Sequence, residues 1–422
     1  MHGTSPDEPP KCYLLHPDLY KPGLTTHGLD AQRPPLTAPK TMLHGPLQLT
    51  SGAMPAPYRN GELLRLGREV IAYGRNVVAH TGSKIALQHR LFVNDPWELI
   101  AEAIVRSVPQ GRTREVAQSF RRQAEDYFRV ATTARELPVR PVLLYYAFLN
   151  LSKAYAIAKG NTSLSQRAYH GVSCSPTRGT ILGTPIAFDK RHNPAVFREL
   201  LQHLNGNLSI LNFPMTLRYL LPQVLPGHRL WCYATNKSER FLTIQNYKLL
   251  HAARGKQVWL NLYVRTSELD QANISERTVL SGTDLEDFEI TVDPEAPSLI
   301  CIQQRNPSSY TTQPTEALEV ITKATQNKFW ETVRLESPYR KPYLYCCPNR
   351  EHAARLPQVL SVYLLMFFLG SVTRYSPGYF EDLLDSKYGP LFATFISESP
   401  MQYLYLMASE ILGREVSKPA II

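Results

Sequence analysis

Residues 118–159, QSFRRQAEDYFRVATTARELPVRPVLLYYAFLNLSKAYAIAK, decide the fold of this chain. They predict an amphipathic helix, a break marked by Pro138 and Pro141, and a second helix that is apolar on almost every side. The apolar run of the second helix, residues 142–158, has only three polar interruptions: Asn150, Ser152 and Lys153. Such a helix must be enclosed by other elements. We therefore expect it at the centre of the fold, packed against the late apolar segment 356–372.

Three polar side chains of this central helix share one stripe. Tyr146, Asn150 and Lys153 stand at i, i+4 and i+7, so they lie on one helix face. Burying an amide and an ammonium costs several kcal/mol unless each finds a partner. Two interpretations follow: a satisfied network inside the core, or a polar pocket for a phosphate, carboxylate or nucleotide with Lys153 as the cationic contact. The stripe alone does not separate them.

Three separated blocks carry a family resemblance. They are RPVLLYYAFLNLSKAYAI (140–157), the His170-Gly171 pair, and LPQVLSVYLLMFFLGSVTRYSPGYF (356–380). In this order they resemble the YaaC-like family of bacterial proteins, from about residue 95 to the C-terminus. The resemblance implies an architecture and no established activity.

Two polar pairs within the resembling blocks, His170-Gly171 and Arg374-Tyr375, adjoin buried helices. A shared pocket lined by Lys153, His170 and Arg374 is one interpretation. The other is that these residues cap helix ends and anchor loops.

The remaining pattern predicts an α+β protein, a helical body with an inserted antiparallel sheet at about 228–305. Residues 1–94 form an extension, irregular and Pro-rich at first and then helical over 62–79; residues 95–422 form the body. A helix over 96–106 begins after Asp95, and a long loop covers 161–185. The C-terminal third, 356–412, returns to helices. The predicted strands are HRLWCYA, RFLTI, KQVWLNLYVR, DFEITVD and SLICIQQR.

One predicted strand, KQVWLNLYVR, has two different faces. Its apolar face holds four aliphatic residues, whereas Trp259, Asn261, Tyr263 and Arg265 share the other. This alternation predicts a sheet with one covered face and one mixed face that is a candidate binding surface.

Composition indicates a soluble cytoplasmic protein. The 422 residues are 43% hydrophobic and 19% charged, with a formal net charge of +10, which favours an acidic partner such as nucleic acid. The six cysteines are scattered, so no disulfide framework or zinc knuckle is predicted. No secretory signal opens the sequence. The segment 356–372 is shorter than the roughly 20 residues of a membrane span, so we expect no membrane partner.

Familiar nucleotide and nucleophile motifs are absent from the sequence. It contains no GxxxxGK[ST], GxGxxG, GxSxG or HExxH. We therefore expect no ATP hydrolysis by this chain, no cofactor and no metal site.

A catalytic candidate is the segment GRNVVAHTG, with Arg75, Asn76 and His80. It resembles the active-site motif of HEPN-type ribonucleases, in which histidine moves a proton and arginine stabilises charge on the phosphate. Short motifs of this kind also arise by chance, as Arg198 and His203 illustrate. The competing interpretation is an exposed helix end with His80 near the helix dipole.

Three functional hypotheses follow, in this order. The first is a non-ATPase effector or scaffold of a prokaryotic stress or antiviral defence assembly. Its expected partners are other proteins of the assembly, with RNA or DNA as a further partner. Self-association is an open alternative. The second is a metal-independent ribonuclease that uses Arg75 and His80. The third is a small-molecule pocket around Lys153.

Overall fold

The computed structural model describes residues 55–74, 77–81, 84–166, 168–176, 180–190, 192–204, 207–332 and 341–419. These residues form an α+β structure, as predicted. The helices are α1 (Trp97–Ser107), α2 (Arg112–Thr133), α3 (Arg140–Ala158), α4 (Val196–Leu204), α5 (Leu217–Leu220), α6 (His228–Thr235), α7 (Thr266–Ala272), α8 (Glu276–Ser281), α9 (Pro314–Thr325), α10 (Gln358–Tyr375), α11 (Pro377–Asp385) and α12 (Gly389–Leu412). The strands are β1 (Glu62–Leu63), β2 (Arg65–Leu66), β3 (Glu69–Val70), β4 (Val78–Thr81), β5 (Lys84–Leu87), β6 (Leu91–Phe92), β7 (Val172–Cys174), β8 (Pro185–Phe188), β9 (Met215–Thr216), β10 (Phe241–Ala252), β11 (Gln257–Arg265), β12 (Phe288–Thr291), β13 (Leu299–Gln304), β14 (Ser308–Ser309), β15 (Trp330–Thr332), β16 (Lys341–Tyr345) and β17 (Val416–Ser417).

Helices α3, α10 and α12 form the centre of the helical body. Most residues of α3 and of α10 are buried, and the two helices pack directly against each other. Phe148 of α3 stacks on Tyr403 of α12 with ring centroids 3.8 Å apart. The Tyr403 hydroxyl lies 2.7 Å from the Ser152 hydroxyl, both buried. The predicted pairing of the two apolar segments in one core is therefore confirmed.

Helix α10 alone among the described helices has the length and hydropathy of a membrane span, and 78% of that segment is buried inside the structure. Because α3 and α12 pack against its apolar surface, α10 is a core helix of the helical body.

An antiparallel sheet of eight strands packs its own hydrophobic core beside the helices. Its main order is β12-β13-β11-β10-β16-β15, with β1 paired to β10 and β14 to β11. The predicted strands from RFLTI to SLICIQQR are confirmed as β10 to β13. The sheet extends to β16, beyond the predicted limit near residue 305. It also includes β1, whose residues Glu62 and Leu63 pair with His251 and Leu250.

The mixed face of β11 is buried at Trp259, Asn261 and Tyr263 and is exposed only at Arg265, the last residue of the strand, so it is not an open binding surface. Trp259 and Asn261 are 0% exposed, because residues 56–61 cross this face. The backbone N–H of Arg59 donates to Gln303 Oε1 at 2.9 Å, and its guanidinium lies 5.4 Å from the Trp259 ring centroid. The prediction of a binding face was wrong because the covering segment lies about two hundred residues away in the sequence.

Two predicted elements have the opposite secondary structure. Residues 62–79 were predicted as a helix, but they form β1, the β2–β3 hairpin and the start of β4. Gly67 makes the hairpin turn with a φ of +63°, a conformation that interrupts a helix. HRLWCYA was predicted as a strand but forms α6. Asn236 ends α6 in the left-handed conformation, a common helix stop.

Candidate functional site

Lys153 of α3, His170 and Arg374 of α10, called the basic cluster below, are near enough for the two cations to influence His170 electrostatically. His170 is in the loop before β7 and Arg374 is in the last turn of α10. Burial is the main cause that lowers the pKa of His170, and the positive charges of Lys153 and Arg374 lower it further. The described part of the chain contains no carboxylate that forms an ion pair with Lys153 or Arg374. The geometry thus concentrates positive charge without neutralising it.

The position of His170 is fixed by its neighbours in the chain. Gly171 has a φ of +81°, and a Cβ on it would lie 3.0 Å from the Ala195 Cβ. Only glycine suits this conformation and this space. The His170 carbonyl accepts the N–H of Phe197 at 3.3 Å, which ties the loop to α4.

The hydroxyl of Tyr145 bonds to the Nδ1 of His170, and the two rings stack with centroids 5.7 Å apart. Burial raises the pKa of Tyr145, so its phenol stays protonated. Burial, followed by the charges of Lys153 and Arg374, lowers the pKa of His170. A neutral imidazole that accepts the hydrogen bond of the Tyr145 hydroxyl at Nδ1 carries its own proton on Nε2. His170 can then donate from Nε2 to an anionic ligand.

Lys153 is half-buried, and its Nζ lies 4.8 Å from the Phe120 ring centroid. Burial lowers the pKa of Lys153, because a low-dielectric surrounding disfavours the ammonium. The face of Phe120 partly compensates through a cation–π contact. An anion bound beside Lys153 would stabilise its charged form.

Arg374 lies within a row of tyrosines. Its guanidinium donates to the Tyr146 hydroxyl and lies 5.5 Å from the Tyr146 ring centroid and 4.3 Å from that of Tyr375. Tyr127 of α2 is 5.6 Å from Tyr146, centroid to centroid. Tyr375 is 70% exposed and Tyr127 36%. We call Tyr127, Tyr146 and Tyr375 the aromatic row; its two ends are open to solvent.

A hollow of about 350 Å³ lies at the junction of α10 and α11. It is lined by Pro176, Tyr375, Ser376, Pro377, Gly378 and Tyr379. Because Tyr375 belongs both to this hollow and to the aromatic row, the hollow extends the candidate site away from Arg374. A planar group stacked on Tyr375 would have room there.

The third residue of the predicted stripe, Asn150, is a core residue. Its side chain is buried, and its Nδ2 faces Gln123 Oε1 of α2 at 3.4 Å. The interpretation as a buried network therefore describes Asn150, whereas Tyr146 and Lys153 border the basic cluster.

Of the nuclease candidates, His80 is described and lies on β4; Arg75 and Asn76 lie outside the described residues. The His80 side chain is 63% exposed, and its Nε2 lies 2.7 Å from Glu319 Oε1. The expected helix end is absent at His80, since the segment is a strand. His80 is therefore accessible, whereas the helix end of the competing interpretation is not formed by the described residues 77–81.

The family model described as YaaC-like Protein matches residues 84–411, well over half of the 422 residues. The chain therefore belongs to the YaaC-like family. The matched range contains the whole basic cluster and begins after His80, so the HEPN-like resemblance gains no support from it. No curated protein and no solved structure matches the chain.

The sequence analysis did not identify Tyr127 and Tyr145 as site residues, and it named Tyr375 only as the neighbour of Arg374. Tyr145 lies outside the polar stripe of α3, and its ring packs against Phe367 of α10 with centroids 5.4 Å apart. For Tyr375 the signal was the adjacent basic and aromatic pair Arg374-Tyr375 at the end of a strongly apolar segment; both residues lie in the last turn of α10 and are exposed.

Proposed function

We propose that this protein is a binding subunit that recognises single-stranded nucleic acid at the basic cluster and the aromatic row. The observation that carries the proposal is the group of three basic side chains, without a carboxylate partner in the described chain, beside exposed tyrosines. Proteins that hold single strands combine positive charge along the backbone with aromatic rings on which bases stack. The net charge of +10 favours the same class of partner.

In this proposal each element of the site has one task. Lys153 and Arg374 contact phosphate oxygens, and the Nε2–H of His170 donates to a third oxygen. Tyr375 and Tyr127 offer open ring faces to unpaired bases. Duplex DNA or RNA binds more weakly, because its bases are already stacked.

We further propose that the chain acts as a non-ATPase effector or scaffold in a cytoplasmic multi-protein assembly of prokaryotic stress or antiviral defence. Support comes from the absence of nucleotide motifs in the sequence and from the long segment before the family match. Affinity purification from the native host, with identification of co-purifying proteins and nucleic acid, tests this part. Recovery of the chain alone, with no partner, would contradict it.

The nucleic-acid part is tested by fluorescence anisotropy with labelled single-stranded RNA and DNA oligonucleotides. We expect Tyr375→Ala to lose the roughly 1–3 kcal/mol of a base stack, about fivefold to 150-fold in affinity. We expect Arg374→Gln to lose at least about tenfold, the value of a charged hydrogen bond.

Matched controls are Tyr233→Ala, at a tyrosine 89% exposed on α6, and Arg106→Gln, at a largely exposed arginine on α1. Both should bind as the wild type does. Equal losses in the controls, or no oligonucleotide binding by the wild type, would reject the proposed site.

A further inference from the structure

A second group of side chains, separate from the basic cluster, lies where the sheet meets the helical body. Asp284 and Glu286 flank Leu285, which is 0% exposed, in the turn between α8 and β12. Since Leu285 anchors the turn, the two carboxylates beside it face away from the core. His352 comes from the turn before α10. Ligand atoms of Asp284, Glu286 and His352 all lie within 4.8 Å of one another.

Two basic side chains hold Asp284 in place. Its Oδ2 forms an ion pair with Arg355, whose side chain is 4% exposed, and its backbone carbonyl accepts the Nζ of Lys328 at 2.7 Å. The other oxygen, Oδ1, faces His352 Nε2 at 3.3 Å. Outer groups that orient a ligating carboxylate in this way are typical of metal sites.

An independent observation points to a ligand at this place. Arg355 Nη1 is buried and has no hydrogen-bond partner among the described residues. Arg355, Asp284, Glu286 and His352 line the same cavity of about 850 Å³. A buried donor without a partner costs about 1–3 kcal/mol, so an acceptor that enters the cavity with a ligand would remove this cost.

We propose that Asp284, Glu286 and His352 bind one divalent transition-metal ion of the zinc class, with a coordination position open to the cavity. One imidazole and two carboxylates match the nitrogen and oxygen donors that Zn²⁺ accepts, and three protein ligands leave room for a fourth. Ligand atoms about 2.1 Å from one ion lie at most about 4.2 Å apart. The exposed Glu286 side chain closes the remaining gap by a small rotation. A small shift of the Arg355 side chain would bring its Nη1 within hydrogen-bond reach of an oxygen ligand in the open position.

Zinc binding to the full chain, freed of metal with a chelator, is measured by isothermal titration calorimetry. We expect one equivalent of Zn²⁺ that excess Mg²⁺ does not displace, because Mg²⁺ prefers oxygen ligands and keeps its waters. Glu286→Gln and His352→Ala should each weaken Zn²⁺ binding by at least about tenfold, the lower bound for disturbing even an outer group. Glu102→Gln, which removes an exposed carboxylate on α1, is the matched control and should bind Zn²⁺ as the wild type does.

The same variants separate metal binding from folding. Without metal, all four proteins should unfold at the same temperature, since positions 286 and 352 are not in the core. With Zn²⁺, the melting temperature should rise in the wild type and Glu102→Gln only. Wild-type affinity in either Glu286→Gln or His352→Ala would overturn the proposal, as would a wild type that binds no Zn²⁺.

Discussion

Gly370 of α10 packs tightly against α3, and this contact provides a sharp test of the core. A Cβ at this position would lie 3.0 Å from the Pro141 carbonyl oxygen and 3.0 Å from the Tyr145 Cβ, both on α3. Neither atom is the end of a flexible side chain, so no rotation of a side chain on α3 can make room for the added methyl group. Substitution of Gly370 must push the two helices apart.

The expected loss follows from two opposing contributions. Overpacking a filled core costs about 1–3 kcal/mol, whereas replacing glycine by alanine within a helix returns about 1 kcal/mol of helix propensity. Gly370→Ala should therefore lower the free energy of unfolding by roughly 0–2 kcal/mol. Gly370→Val adds two methyl groups at the same contact and gains less propensity, so its loss should exceed about 2 kcal/mol.

Thermal and urea unfolding of both variants measure this effect, and Gly378→Ala is the matched control. Gly378 lies in α11, and a Cβ there would meet nothing within 4 Å. Its substitution should be neutral or stabilising by up to about 1 kcal/mol. If Gly370→Val unfolds at or above the wild-type temperature, the close contact of α3 and α10 is refuted.

Three further outcomes are expected. Ser152→Ala should lower the free energy of unfolding by about 1–3 kcal/mol, because it leaves the buried Tyr403 hydroxyl without its partner. Tyr403→Phe should lower it by only about 1 kcal/mol, because the Ser152 hydroxyl still donates to the Phe148 carbonyl. A larger loss for Tyr403→Phe than for Ser152→Ala in urea titrations would contradict this pairing. Burial, with the charges of Lys153 and Arg374, holds the pKa of His170 below its ordinary value of 6.5, so a pH-dependent rise in oligonucleotide affinity is expected only as the pH falls below about 6.5, where a bound anion favours uptake of a proton by His170. His170→Gln should reduce that rise, and an identical profile would exclude His170 from the site. Total RNA incubated with the protein and EDTA should stay intact; cleavage that His80→Ala abolishes would instead establish the ribonuclease.

The sequence was sufficient for the central helices because their physical signal is local and strong. A helix such as α3, apolar on almost every side, can exist only when enclosed, and the same holds for α10. The strands β10 to β13 were likewise predictable from alternation and turn residues. In contrast, β1 forms because residues 62 and 63 pair with residues 250 and 251. No local pattern encodes a partner so distant in the sequence.

The candidate site was partly predictable for a similar reason. Lys153 was conspicuous because it interrupts an apolar helix, and His170 and Arg374 because they adjoin buried segments. The proximity of Asp284, Glu286 and His352 was not predictable, since Asp284 and His352 belong to separate turns and match no ligand spacing in the sequence. Their proximity results from the packing of the sheet against the helices.

The salt dependence of single-strand binding tests the central claim most directly. The logarithm of affinity for a single strand falls with the logarithm of salt concentration by about 0.7 for each phosphate contact. The Lys153→Met, Arg374→Gln double variant should therefore show a slope shallower than that of the wild type by about 1.4, the value for two lost phosphate contacts. A double variant that folds normally and binds with the wild-type slope would contradict the assignment of the basic cluster as the nucleic-acid site.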